Sequence, residues 1–306
     1  MYEIRFPHLG ISLKHVLDGF SIGGFEIRFY GVIIAIGFVL AYLLVANEAK
    51  RTNQNPELYL DYMLWLVIPA ILGARIYYVL FSLRDYLVKG KSVKDIILSM
   101  INIRGGGLAI YGGVIAGIIV LLVFAKKRKV SPLLMLDTSC MGLLVGQILG
   151  RWGNFFNREA FGSYTDSLFA MAIPADWFGG KNYLLARVNN GNITQEMIDH
   201  VLVVNGKEFI QVHPTFLYES AWNLIVLLVI FTYRRKKKFD GELFAMYLWG
   251  YGLGRVWIEA LRTDSLMLPG VNFRASQLLA ALCVIAASVF IIYKRIQISK
   301  SNHTKE

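Results

Sequence analysis

Seven stretches of this sequence are each apolar for about 20 residues, the length a helix needs to cross the hydrocarbon of a bilayer. They run near 29–46, 61–82, 106–125, 132–151, 214–233, 242–261 and 275–293. Hydrocarbon offers no water to pair the backbone, so a spanning segment must satisfy its own polar groups. Runs this long and continuous predict helices. Charged residues make up only 17% of the 306-residue chain against 56% hydrophobic ones, too few for a soluble domain of this size. The chain is expected to be an all-α polytopic membrane protein with seven transmembrane helices.

The net charge of +11 lies mostly in short clusters between the runs. Lys50-Arg51, Lys126 to Lys129, Arg234 to Lys238 and Lys294-Arg295 all fall on one side if the N-terminus is outside and the C-terminus cytoplasmic. That is the positive-inside pattern, and it assigns the charge to topology in a cell membrane, with no nucleic acid as partner. One loop dissents. Residues 84–104, placed outside, carry Arg84, Lys89, Lys91, Lys94 and Arg104, and such a loop suits the headgroups, where anionic lipid attracts basic residues. Residues 1–27 lack the early apolar core of a cleavable signal peptide. Cys140 and Cys283 lie inside apolar runs, so neither a disulfide framework nor a metal site is expected.

Residues 157–212 form the one long polar segment, expected as a small mixed α/β head on the outer face. Asp176, Gly179-Gly180, Asn189-Asn190-Gly191-Asn192 and Asn205-Gly206 punctuate it as turns. Val201 to Val204 and Glu208 to Val212 flank Asn205-Gly206, which reads as a β-hairpin. Thr194, Met197, Ile198 and Val201 suit a short amphipathic helix. The expected organisation is an outer segment over 1–28, four spans within 29–156, the head over 157–212, three spans within 213–293 and a cytoplasmic tail over 294–306. Glycines at helical spacing, Gly142/Gly146/Gly150, Gly113/Gly117 and Gly250/Gly254, suggest close helix packing in lipid.

Polar residues inside the spans gather at one depth. With this topology Arg75, Arg151, His213, Glu219, Arg255, Glu259 and Arg262 all sit toward the outer leaflet, and Tyr30 and Tyr111 begin spans on that side. A charged group at a helix centre costs about 2.5–3.5 kcal/mol on insertion scales, so structure alone seldom needs so many. Arg255 and Glu259, four apart on one helix face, suit an internal ion pair. Arg151 and Arg262 add cations beyond it, and an arginine surplus suits an anion such as a lipid phosphate, which guanidinium grips with forked hydrogen bonds. His213 before Pro214 suits a helix-start cap as well as a proton acceptor. Asn154 and Asn157 suit helix-end capping or the positioning of lipid oxygens. A transporter of an anionic substrate fits intramembrane arginines too. Transporters often carry internal repeats, however, and the two halves show none that is convincing.

The stretch after the fourth run is Gly150-Arg151-Trp152-Gly153-Asn154-Phe155-Phe156-Asn157-Arg158-Glu159, with Gly162 three residues on. It resembles the signature of the prolipoprotein diacylglyceryl transferase family. The resemblance extends to Tyr30-Gly31, Gly73-Ala74-Arg75 with Tyr78, Gly106 to Gly113, His213-Pro214 with Leu217-Tyr218-Glu219, and Tyr251-Gly252 with Gly254-Arg255, Glu259 and Arg262. It implies transfer of a diacylglyceryl group from phosphatidylglycerol to the lipobox cysteine in the signal peptide of a prolipoprotein. A thioether forms, glycerol 1-phosphate leaves, and no cofactor is involved. On that reading Arg151, Arg255, Glu259, Glu159, Glu219 and Tyr111 are the catalytic candidates. Asn154, Asn157, Tyr30, Arg75, Tyr78, His213, Tyr251 and Arg262, together with Arg151, are the substrate-binding ones. One position departs: many members have histidine where this chain has Tyr111. An unperturbed tyrosine has a pKa near 10 and makes a poor base at neutral pH, so the base stays open among Glu159, Glu219, Glu259 and His213.

Overall fold

The computed structural model describes residues 3–303 apart from 88–91, 104–105, 181–183, 186–187, 189–192, 266 and 268–272. Lys89, Lys91, Arg104 and the expected turn over Asn189 to Asn192 lie outside the described residues. The chain is mostly helical. Six of its helices are long and apolar enough to cross a membrane. They are α1 (Phe29–Arg51), α2 (Pro56–Phe81), α5 (Ile110–Arg128), α6 (Pro132–Asn157), α8 (Thr215–Tyr233) and α10 (Ala275–His303). The sixth run of the sequence also forms a helix, α9 (Glu242–Leu261). It stands apart from those six because Glu242, Arg255 and Glu259 interrupt its apolar character.

Short helices α3 (Leu83–Tyr86) and α4 (Val93–Ile101) follow α2. Local chemistry sets several helix ends. Asn55 caps α2 by accepting from the Glu57 N–H at 3.0 Å, with Pro56 as the first residue. Lys126, Lys127 and Arg128 fill the last turn of α5, and Lys50 and Arg51 that of α1. Cations are favoured there by the helix dipole.

The chain divides into two compact units, one of residues 1–43 with 140–306 and one of residues 44–139. In the second, α2 packs on α5 with Gly73 and Gly112 back to back, where either Cβ would strike the other backbone. Tyr59, Phe124, Leu121 and Met135 fill its core.

In the first unit a five-stranded antiparallel sheet runs in the order β2-β1-β5-β7-β6. Its strands are β1 (Ile4–Phe6), β2 (Ile11–Leu13), β5 (Met171–Pro174), β6 (Leu202–Val204) and β7 (Lys207–Val212). The expected hairpin is present. Val204 pairs with Lys207 across Asn205-Gly206, both at positive φ (51° and 74°), as a two-residue turn of this hand requires. The expected short helix is α7 (Gln195–Asp199), capped by Thr194. A second hairpin, β3 (Gly19–Ile22) and β4 (Phe25–Arg28), leads straight into α1.

The N-terminal residues, expected as an outer segment over 1–28, supply two strands of the sheet. Arg5 pairs with Ala172, and Ile4 and Phe6 are buried in the same core as Ile173 and Ile210. Strands of three residues carry too short an alternation to stand out in a sequence. That core continues onto Phe155 of α6 and Phe216 of α8, whose rings lie 4.8 Å apart.

Candidate active site

The signature stretch closes α6 and turns back on itself. Gly153 lies against the Tyr30 ring, where a Cβ would collide. Past Asn157, Arg158 and Ala160 both adopt left-handed backbone, φ 50° and 57°. Glu159 sits between them. Its Oε1 accepts from Asn154 Nδ2 at 2.9 Å and Asn157 Nδ2 at 3.2 Å. Asn154 in turn accepts from Arg151 Nη1 at 3.3 Å through its Oδ1. The two asparagines therefore link Arg151 to Glu159.

Arg151 and Arg255 share one carboxylate. Arg151 Nε pairs with Glu219 Oε2, and Arg255 Nη1 donates to Glu219 Oε1 at 2.5 Å. Arg255 also pairs through Nη2 with Glu259 Oε2 at 2.5 Å, the pair expected from their spacing. The Glu219 and Glu259 side chains are only 4% and 3% exposed. Carboxylates so buried need such partners to offset the cost of leaving water. Arg262 Nη1 lies 4.0 Å from Glu219 Oε1, but its stronger contacts are forked onto Asp264 at 2.8 and 2.9 Å. Among the described residues Arg262 is thus paired chiefly with Asp264, while Arg151 and Arg255 share Glu219.

His213 and Arg262 are knitted to the signature through the backbone. Gly162 N–H donates to His213 O at 3.0 Å, His213 N–H to Ser163 O at 3.0 Å, and Ser163 N–H to Leu261 O at 2.8 Å. A Cβ on Gly162 would stand 2.7 Å from His213 Cβ and 2.9 Å from Leu261 O, so glycine is needed there for packing. The half-buried His213 imidazole lies 3.4 Å from the Tyr218 hydroxyl. Burial pushes its pKa below the ordinary 6.5 and keeps it neutral at neutral pH. Tyr251, one helical turn before Arg255, stacks on Tyr247 at 5.8 Å.

Arg75, Tyr78 and Tyr111 belong to the other unit. Arg75 is spent on backbone there. It donates to Met100 O at 2.7 Å and to Ser99 O, Gly106 O and Gly107 O at 2.8 Å each. Tyr78 lies under its guanidinium, 5.7 Å to the ring centroid. Tyr111 follows at the start of α5, 6.2 Å from the Tyr77 ring.

Three contacts of the first unit were not foreseen: Asp264 on Arg262, Ser276 Oγ donating to Glu259 Oε1, and Arg274 donating to Glu259 O. Asp264 and Arg274 lie between apolar runs in sequence and Ser276 at the start of one, where polar side chains are ordinary. A polar cavity of about 320 Å³ opens beside the turn, lined in part by Asn157, Glu159, Trp177 and Asp264. An apolar groove of about 490 Å³ runs between α8, α9 and α10. It includes Trp222, one turn from Glu219 on the same helix face.

The sequence model of the family described as prolipoprotein diacylglyceryl transferase matches residues 18–293. A Clostridium perfringens protein named phosphatidylglycerol–prolipoprotein diacylglyceryl transferase 1 is 41% identical over 275 residues, covering 89% of this chain and 92% of the relative. Relatives of the same name, without the numeral, come from Lactobacillus delbrueckii subsp. bulgaricus (39% identical; 91% of each chain) and Finegoldia magna (37% identical; 92% of this chain and 97% of the relative).

Proposed function

The chain belongs to the prolipoprotein diacylglyceryl transferase family, and from that membership we propose its chemistry. It is a multi-pass membrane transferase that moves the diacylglyceryl group of phosphatidylglycerol to a prolipoprotein, in lipoprotein maturation. The acceptor is the lipobox cysteine. Its sulfur forms a bond to the glyceryl carbon, the carbon–oxygen bond to phosphate breaks, and glycerol 1-phosphate leaves. The thiol proton passes to a base on the enzyme.

One observation carries the assignment of roles: Arg151 and Arg255 converge on Glu219. Glu219 holds the two guanidinium groups where a phosphate can exchange for it. Negative charge grows on the phosphate as it leaves, and donors fixed in advance stabilise that charge without reorganising. Glu259 fixes Arg255 from the other side, and Arg262 makes a weaker contact. Glu219 and Glu259 are committed to guanidinium. Glu159, held by amides, and the neutral His213 are the better proton acceptors. Tyr30, Asn154, Asn157 and Tyr251 position the headgroup, and an acyl chain extends along the apolar groove below Trp222. Tyr78 and Tyr111 contact lipid as hydrogen-bond donors. Arg75 contributes by holding Gly106 and Gly107 ahead of Tyr111.

We read α9 as a seventh span. Its charges meet partners in the chain, Arg255 on Glu219 and Glu259, and Glu242 on Arg295, which removes the objection to burying it. The N-terminus and the α/β head then lie outside, and the C-terminus is cytoplasmic. The test is direct. Purified protein receives phosphatidylglycerol and a lipobox peptide, and a mass spectrum reports a diacylglyceryl adduct on the cysteine. The adduct is expected, and it disappears when the peptide cysteine is changed to serine. Binding of both substrates with no adduct would sink the transferase reading.

A further inference from the structure

We propose that Arg158 is a positioning residue of the transfer site, locking the turn that presents Glu159. The proposal rests on the transferase reading above. Arg158 is a cation only 2% exposed that donates to backbone carbonyl groups. Its Nη1 donates to Phe156 O at 3.0 Å and its Nη2 to Val16 O, while the guanidinium lies 4.2 Å from the Trp177 ring centroid. The side chain thus joins the end of α6, the N-terminal segment and the head.

What it holds is a turn unfavourable in itself. Arg158 and Ala160 are both left-handed, a conformation that crowds any residue with a Cβ. The Arg158 bonds fix one side of Glu159, and the Thr215 hydroxyl, donating to Ala160 O, fixes the other. Glu159 then returns its backbone N–H to Asn154 O at 3.1 Å and receives both asparagine amides on its carboxylate. Through Asn154 the same turn orients Arg151. Loosening Arg158 therefore displaces Glu159 and Arg151 together.

Arg158→Gly separates backbone from side chain, because glycine accepts the left-handed conformation and removes the clamp. Arg158→Lys keeps the charge without the planar fork. Both variants of the full chain, in nanodiscs containing phosphatidylglycerol, are assayed for transfer per folded monomer after size exclusion. We expect kcat to fall at least about tenfold in each, the scale of a displaced reacting group. KM for phosphatidylglycerol should stay within about threefold, as for a group whose ground-state binding is kept.

A double-mutant cycle with Asn157→Ala separates positioning from mere stability. Both residues act on Glu159, so their losses should be less than multiplicative. Multiplicative losses, or near-normal kcat per folded monomer in Arg158→Gly, would overturn the proposal. An inactive wild-type protein would overturn the transferase reading instead.

Discussion

At the residue scale, the site depends on what a guanidinium does and an ammonium cannot. Arg255 meets Glu219 and Glu259 through different nitrogens, each at 2.5 Å. A lysine at that position has a single nitrogen and lacks the planar fork that grips a phosphate with two parallel hydrogen bonds. Arg255→Lys and Arg151→Ala should each lower kcat/KM by about 100-fold or more, the loss typical of an oxyanion-stabilising donor. The adduct assay measures it, and near-normal turnover in Arg255→Lys would mean that charge alone suffices. His213 supplies a pH signature. Burial disfavours its imidazolium form, so the neutral base persists to lower pH than for a free histidine. If His213 accepts the thiol proton, kcat/KM should be flat near pH 7 and fall only below the ordinary 6.5. His213→Gln should remove that acid limb together with most of the activity. A limb that survives the substitution assigns the proton to Glu159.

At the scale of elements, α8, α9 and α10 are tied at the end of α9 remote from Arg255. Glu242, 1% exposed in the first turn of α9, accepts from Lys238 N–H at 2.6 Å and the Tyr233 hydroxyl at 3.2 Å. It also accepts from Arg295 at 2.6 and 3.1 Å. Glu242→Leu strands these donors, and the cost should be about 1–3 kcal/mol for the buried groups left unpaired. A lower melting temperature in detergent, with unchanged turnover per folded molecule, is the expected result. An unchanged melting temperature would show that water replaces the carboxylate. The glycine stripes were legible, but not which of them form close seams. Gly250 meets Val226 and Gly254 meets Trp222, each too close for a Cβ. On α6, Gly146 has no neighbour within 4 Å of a would-be Cβ. Spacing shows that small residues share a face; only the neighbouring helix decides whether that face is used.

For the whole molecule, the proposed orientation rests on charge. Basic clusters end α1 and α5 and follow α8, and the seven-span reading puts all of them inside. Cysteine placed at Val203, in the sheet, should react with a membrane-impermeant maleimide in intact cells. Cysteine at Lys238 should react only after permeabilisation. The reverse pattern would overturn the orientation while leaving the chemistry untouched. The native cysteines interfere little, since Cys140 is buried and Cys283 lies within α10.

The sequence by itself determined the helices, because apolar runs of bilayer length have few other solutions in lipid. It also determined the hairpin at Asn205-Gly206, through a turn whose left-handed backbone few other residue pairs tolerate. The Arg255–Glu259 pair followed from helical spacing alone. These features depend on neighbours a few residues apart. Tertiary structure decided the rest: β1 and β2 joining the sheet, Asp264 pairing with Arg262, and Arg75 donating to backbone carbonyl groups. It also brought Glu219 between Arg151 and Arg255, residues 68 and 36 positions away along the chain. An ion pair between distant segments or a three-residue strand leaves no periodic trace in sequence. Its partner is chosen by distance in the folded chain, and that distance exists only once the helices have packed.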